Sequence, residues 1–168
     1  LSKALIKYKE IKIIIFGDGS EYKYLKNKKI KDNLKNIYLM GRYPLIDMPN
    51  IFYKADILLA TLSSQDCFDN TLPNKIQAYM SAKKPIVVSM NGEGARIINE
   101  SKSGIAVPAE NIKKLKYAIM KIYKLNPIER NKIAENSFKY FKKNFYHPTL
   151  IKKLENELKN LIIEKWEF

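Results

Sequence analysis

Five short apolar runs constrain the fold of this chain more than any other sequence feature. They cover residues 11–16, 36–41, 56–62, 85–90 and 103–109, and most of them are rich in β-branched residues. Runs of this length and composition predict buried β-strands. Because segments with helical patterns separate them, the chain is expected to form βαβ units. The predicted fold is α/β, a parallel sheet flanked by helices on both faces.

Beyond Glu110 the pattern changes to helices alone. Asn126-Pro127 ends one helix, and Asn126 followed three residues later by Glu129 is typical of a capping box at the start of the next. His147-Pro148 marks a further break before a last amphipathic helix. We therefore expect an α/β domain over residues 1–125. The C-terminal helices of 126–168 are expected to pack on it or on another domain.

Composition limits the functional classes. The chain of 168 residues has 31 Lys and Arg against 17 Asp and Glu, a net charge of +14. The lysines are scattered, so they fit a solvated surface, an anionic membrane, nucleic acid or a phosphate-bearing ligand. The single Cys67 excludes an internal disulfide framework and a cysteine metal cluster, and it favours a reducing, cytoplasmic setting. No apolar run has the roughly 18–20 residues of a membrane span.

Glycines and an arginine follow the first two predicted strands. In an open parallel sheet, ligands bind at the carboxyl ends of the strands. Gly17 and Gly19 would let the backbone approach a ligand closely at a helix start, although a plain βα turn has the same appearance. Arg42 can stack on a base or contact a phosphate, or it is an ordinary surface arginine on a turn.

The segment FDNTLPNKIQAY, residues 68–79, is the most informative loop. Thr71 or a neighbour is expected to cap a helix whose first turn contains Pro73. The free amides of that helix and the ammonium of Lys75 would then form a phosphate site. The alternative is a solvated lysine on an ordinary helix.

Other polar residues carry weaker signals. Glu93 can accept hydrogen bonds from sugar hydroxyls or cap a helix. Asp66 and Asp69 can form a general acid–base pair, or they are solvated loop acids. His147 has no partners at metal-ligand spacing, so we interpret it as structural. No metal site and no common nucleotide-triphosphate, hydrolase or RNA-binding motif is present.

The segments IIIFGDGSE, NIYLMGRYPLIDMPNIFYKADILLAT, LPNKIQAYMSAKKPIVVSMNGEG and SGIAVPAEN arrive in an order that resembles the C-terminal half of family-4 retaining glycosyltransferases. These enzymes are the group 1 glycosyl transferases of the GT-B fold, and the similarity is greatest to bacterial transferases of O-antigen and capsule synthesis. The resemblance implies two Rossmann-like domains. The C-terminal one holds a nucleotide-sugar donor, here UDP-linked, and the N-terminal one holds a glycan or lipid-linked acceptor. It also implies metal-independent transfer without a cofactor.

The resemblance assigns donor-binding residues but no catalytic residue. Those implied to line the donor site are Gly17, Gly19, Arg42, Tyr43, Asn70, Thr71, Leu72 and Lys75. Related enzymes carry two Glu in this region, where this chain has Ala78 and, near the other position, Asn70. The first strand of the domain and the acceptor domain are expected upstream of Leu1, so the chain alone should not turn over.

Two other functions remain open. A nucleotide-sugar epimerase shares the GT-B architecture, and a non-enzymatic basic module would dock to anionic membrane or nucleic acid. We favour the glycosyltransferase, without a nucleic-acid partner. It is expected in the cytoplasm, with Lys-rich surfaces and the terminal aromatic residues Trp166 and Phe168 near the inner face of the plasma membrane.

Overall fold

The computed structural model describes residues 1–65 and 70–166, with side-chain surroundings given up to residue 161. Asp66, Cys67, Asp69 and Phe168, considered above, lie outside the described residues, as does the side chain of Trp166. No described helix is both long enough and apolar enough to cross a bilayer.

Strands and helices alternate as the sequence predicts. The strands are β1 (Ile13–Phe16), β2 (Ile37–Gly41), β3 (Leu58–Thr61), β4 (Ile86–Ser89) and β5 (Gly104–Val107). A 3₁₀ turn spans Leu45–Asp47. The helices are α1 (Ser2–Leu5), α2 (Tyr22–Lys31), α3 (Met48–Lys54), α4 (Asn74–Ser81), α5 (Gly92–Ser101), α6 (Ile112–Tyr123), α7 (Pro127–Asn144) and α8 (His147–Trp166).

All strand pairs in the named strands are parallel, which confirms the predicted α/β class. The pairs are divided over two sheets, however, with orders β1-β2 and β3-β4-β5. Ile13 lies opposite Ile37 in the first sheet, and Leu58 lies opposite Ile86 in the second. Among the described residues, β1 and β3 form no ladder with each other, so each keeps one edge without a strand partner.

Helices cover both faces of the second sheet, as expected for a buried parallel sheet. The alternation along β4 shows this, because Val87 belongs to a core with Leu115 and Ala118 of α6. Its neighbours Ile86 and Val88 point to the opposite core, which α4 and α5 complete. Ile13 of β1 also packs against the α6 core, so the two sheets share one apolar interior.

The start of α4 differs from the prediction, and the start of α7 is confirmed. Thr71 does not cap α4: Pro73 holds the N-cap position with extended backbone (ψ 131°), and it has no side-chain acceptor to offer. The capping box at α7 is present, because Asn126 accepts from the Glu129 amide at 2.9 Å and donates its own amide to the Glu129 carboxylate at 3.0 Å.

Candidate functional site

A cavity of about 730 Å³ opens at the carboxyl ends of β1 and β2. Its walls come from these strand ends, the segment through the 3₁₀ turn and α3, and one face of α4. The lining residues are Phe16, Gly17, Arg42, Tyr43, Leu45, Met48, Pro49, Phe52, Tyr53, Lys75, Ala78, Ser81 and Ala82. This position is where an open parallel sheet places a ligand.

Two glycines shape the wall that β1 and β2 supply. Gly17 has φ +132° and Gly41 has φ +71°, backbone conformations that glycine adopts readily and other residues rarely adopt. The Gly17 amide donates to the Gly41 carbonyl at 2.7 Å, which ties the two strand ends together. Arg42 and Tyr43 follow directly, and the Tyr43 ring meets Phe16 edge-on with centroids 5.0 Å apart.

Helix α4 supplies the opposite wall through residues three or four positions apart. Lys75, Ala78 and Ala82 lie on one helical face and line the cavity. Ile76 and Met80 lie on another face and are fully buried in the core beneath the second sheet. Because burial of these two side chains fixes the rotation of α4, it also fixes the side of the helix that faces the cavity.

Aromatic contacts hold α3 against α4. Phe52 meets Tyr79 edge-on at 5.1 Å between centroids. The Tyr79 hydroxyl donates to the Leu59 carbonyl at 3.3 Å, and burial raises the pKa of Tyr79. The phenol therefore stays protonated at neutral pH and keeps α4 attached to β3.

The charges that line the cavity are all positive. Arg42 and Lys75 approach from the two walls, and the described lining residues include no carboxylate. Neither cation forms an ion pair within the described part of the chain. The cavity therefore favours an anionic ligand with an apolar or aromatic portion.

The cavity brings together four of the residues that the sequence singled out, Gly17, Arg42, Tyr43 and Lys75. Ala78 also lines it, at the position where related enzymes are expected to keep a Glu. The other four predicted residues lie outside this lining. Leu72 packs against the core, and the remaining three are solvent-exposed residues: Gly19, Asn70 and Thr71.

Sequence reasoning missed the contribution of the 3₁₀ turn and α3. Leu45, Met48, Pro49, Phe52 and Tyr53 line the cavity. They lie within a segment that carries the family resemblance, but no donor-binding role was assigned to them, because apolar side chains in a short helix are equally suited to packing. Leu45 is 88% exposed, so its apolar side chain meets solvent at the cavity wall.

The loops after the second sheet are tied by polar contacts. Asn91 donates to the Ser64 hydroxyl at 3.4 Å and accepts from the Ala109 amide at 3.3 Å. Glu93, a candidate for sugar hydroxyls, accepts from Arg96 at 2.6 and 2.7 Å. The hydrogen bond from Arg96 lowers the pKa of Glu93, so this carboxylate stays ionised and engaged.

A smaller cavity of about 320 Å³ lies at the ends of β3 and β4, where Thr61, Ser89 and Glu110 contribute to its lining. His147 is exposed at the start of α8. Within the described part of the chain, no group of three or more metal-ligating side chains occurs.

Comparison with known proteins identifies relatives of this chain. The family model described as "Glycosyl transferases group 1" matches residues 1–124. A curated relative, an uncharacterised glycosyltransferase of Methanocaldococcus jannaschii, is 25% identical over 131 residues, which cover 78% of this chain and 35% of the relative.

Solved structures show the same fold. Anabaena HepE in complex with UDP aligns with a TM-score of 0.79 at 18% identity, covering 95% of this chain and 44% of HepE. A glycosyltransferase from Rickettsia africae aligns with a TM-score of 0.76 at 22% identity, covering 96% of this chain and 43% of that one. The chain thus spans less than half the length of these proteins, and its architecture is the Rossmann-like one found in them.

Proposed function

Since the chain belongs to the group 1 glycosyl transferases, we propose that it is the donor-binding domain of a glycosyltransferase. The 730 Å³ cavity would hold the nucleotide-sugar. One observation carries the proposal: an apolar, aromatic cavity at the strand ends is bordered by Arg42 and Lys75 and lined by no described carboxylate. A nucleoside diphosphate has the matching parts, a flat base and a strongly anionic tail.

The two walls suggest how these parts are arranged. Tyr43 and Arg42 offer an aromatic surface and a planar cation beside the base. Lys75 in the first turn of α4 adds a point charge to the positive end of the helix, where a diphosphate is favoured. Ala78 offers no acceptor to the ribose, so Ser81 or solvent would take that contact.

We propose UDP as the nucleotide. HepE has been solved with UDP and with UDP-glucose, and a pneumococcal O-GlcNAc transferase with UDP and GlcNAc. Gly19 is proposed to line the nucleotide site beside Gly17. Asn70, Thr71 and Leu72 are proposed to lie with Lys75 at the diphosphate and donor sugar. No catalytic residue is assigned in this chain.

We propose retaining transfer to a glycan or lipid-linked acceptor in cell-surface polysaccharide synthesis, in the cytoplasm at the inner membrane face. The bond between the anomeric carbon and the β-phosphate oxygen breaks. A bond from that carbon to the acceptor oxygen forms with the same anomeric configuration, and the proton of the acceptor hydroxyl passes to the departing diphosphate oxygen. Protein cations, rather than a divalent metal, would stabilise the leaving diphosphate.

The domain division is also proposed. Residues 1–125 would form the donor domain, with residues 126–168 as C-terminal helices, and its first strand would precede Leu1. The unpaired edges of β1 and β3, which pack against one core, fit a strand inserted between them. A structure of the full-length protein in which β1 and β3 pair directly would contradict this.

Calorimetric titration of the full-length protein with UDP, UDP-glucose and GDP tests the function. We expect UDP binding that weakens about tenfold or more in Lys75→Ala, the typical loss for a hydrogen bond to a charged group. Lys113→Ala, an exposed lysine of α6 away from the cavity, is the matched control and should bind normally. Absence of nucleotide binding would refute the proposal, whereas release of an epimerised sugar without acceptor would replace it with the epimerase.

A further inference from the structure

The outer face of α2 concentrates positive charge. Five of the ten residues from Tyr22 to Lys31 are lysines, and the helix sequence contains no acidic residue. Leu25 and Tyr22 turn inward and are half-buried, while Lys23, Lys26 and Lys31 are exposed. No residue within this described helix is fully buried, so α2 lies on the surface of the sheet formed by β1 and β2.

Two exposed apolar side chains lie on the same helix as these lysines. Ile30 is 72% exposed, and Tyr24 is 56% exposed. Ile30 follows Lys26 by four positions, and Tyr24 precedes Lys31 by seven. Residues at these separations lie on the same side of a helix, so each apolar group has a lysine beside it. Exposed apolar groups on a lysine-rich helix face combine apolar area with positive charge, as on helices that lie in a membrane interface.

Asp32, which directly follows α2, already forms ion pairs. Asp32 pairs with Lys3 at 2.9 Å and with Lys28 at 3.7 Å. Lys28 also lies over the Tyr24 ring, 5.6 Å from its centroid. By contrast, Lys23, Lys26 and Lys31 form no ion pair with any described residue. Lys31 acts on Asp32 only over a longer distance, so all three ammonium groups are open to an external anion.

We propose that the α2 face, defined as Lys23, Lys26, Lys31, Tyr24 and Ile30, docks on an anionic lipid bilayer. Lysines on the polar part of a surface helix attract anionic headgroups, and exposed apolar groups enter the boundary between headgroups and acyl chains. Tyrosine suits the same boundary, because its ring is apolar and its hydroxyl is polar. The proposal rests on the membrane location proposed above and names the surface responsible, but it does not depend on nucleotide binding in the cavity.

The composition of the face favours lipid over nucleic acid. It contains lysines only, whereas base and phosphate recognition commonly uses the bidentate guanidinium of arginine. An exposed isoleucine adds nothing to a phosphate backbone but gains from insertion into lipid. Because α2 begins six residues after Phe16, at the end of the glycine turn beside the donor cavity, docking would hold that cavity close to the bilayer.

Vesicle co-sedimentation of the full-length protein tests the proposal. The probes are phosphatidylcholine vesicles and vesicles of phosphatidylcholine with phosphatidylglycerol at about 7:3, in low and high salt. We expect binding to the anionic vesicles alone. Lys23→Gln/Lys26→Gln/Lys31→Gln should lower the partition coefficient about a hundredfold, at roughly fivefold for each lysine, and it should flatten the salt dependence.

A second variant separates insertion from charge. Ile30→Ser should lower partitioning several-fold while leaving the salt dependence unchanged. The matched control is Lys113→Gln/Lys114→Gln/Lys121→Gln, which removes three exposed lysines from α6 and leaves the same net charge. Circular dichroism should show that every variant stays folded.

Two results would overturn the proposal. If the α6 control loses binding as strongly as the α2 variant, total charge and not this face controls docking. If the α2 variant loses binding to single-stranded DNA but keeps vesicle binding, the face belongs to nucleic acid.

Discussion

The two glycines of the GDG turn predict opposite responses to the same substitution. A Cβ built on Gly17 or on Gly19 meets no described atom within 4 Å, so neither alanine would clash. The difference lies in the backbone, because Gly17 has φ +132° and Gly19 has no positive φ. Gly17→Ala thus isolates backbone strain, and Gly19→Ala is its matched control.

The expected magnitude follows from this conformation. A residue other than glycine held at such a φ costs about 1–3 kcal/mol. The entropy of unfolding is about 2.1 cal/mol/K per residue. For 168 residues, the free energy of unfolding therefore falls by about 0.35 kcal/mol for each kelvin near Tm. Gly17→Ala should therefore lower Tm by about 3–9 °C. Gly19→Ala should leave Tm unchanged or raise it slightly, because alanine reduces the entropy of the unfolded chain.

Urea unfolding followed by circular dichroism measures the free energy, and a thermal scan measures Tm. UDP titration of both variants adds a functional readout. Strain at Gly17 should weaken the 2.7 Å bond from its amide to Gly41 and so displace Arg42 and Tyr43 in the cavity wall. Equal stability and equal UDP affinity of the two variants would show that the turn does not need glycine at Gly17.

Three further substitutions test the fold. Asn126→Ala removes the acceptor of the Glu129 amide and should cost about 1 kcal/mol, or about 3 °C in Tm, by thermal denaturation; an unchanged Tm would argue against the capping box. Gly104→Ala places a Cβ directly against the Ile86 carbonyl oxygen of β4, so we expect loss of soluble folded protein on expression; a normal yield would disprove that contact. The hydrogen bond from Lys3 holds the pKa of Asp32 below its usual value, so its contribution to stability is present at neutral pH and lost as pH falls through the acid range. Asp32→Asn should remove that part of the acid dependence in urea titrations from pH 6 to pH 3, and a profile identical to the parent would contradict it.

Local sequence patterns predicted most of the fold. Strand runs and helix periods depend on neighbouring residues alone, so β4, α5 and the Asn126–Glu129 box were readable directly. The split of the sheet was not, because strand order depends on contacts between distant segments. The start of α4 was also missed, since Pro73 holds the N-cap position through backbone geometry without a side-chain acceptor.

The candidate site was predictable only where residue types carry a specific chemistry. Arg42 and Lys75 are cations in loops at strand ends, and Gly17 follows a strand directly, so the expected crevice gathers them. Phe52 and Met48 have apolar side chains that are equally suited to a core. Only the packing of α3 against α4 shows that they line a cavity instead.

The division between the two sheets has a consequence for cooperativity. Most of the buried side chains surround β3, β4 and β5, whereas Ile14 of β1 remains half-exposed. The β1-β2 layer should therefore open at lower free energy than the rest, and its amides should exchange hydrogen for deuterium sooner. A nucleotide that touches Arg42 on one layer and Lys75 on the other would link the two layers. Nucleotide binding should then slow hydrogen–deuterium exchange in β1 and β2, even though Lys75 lies in neither strand.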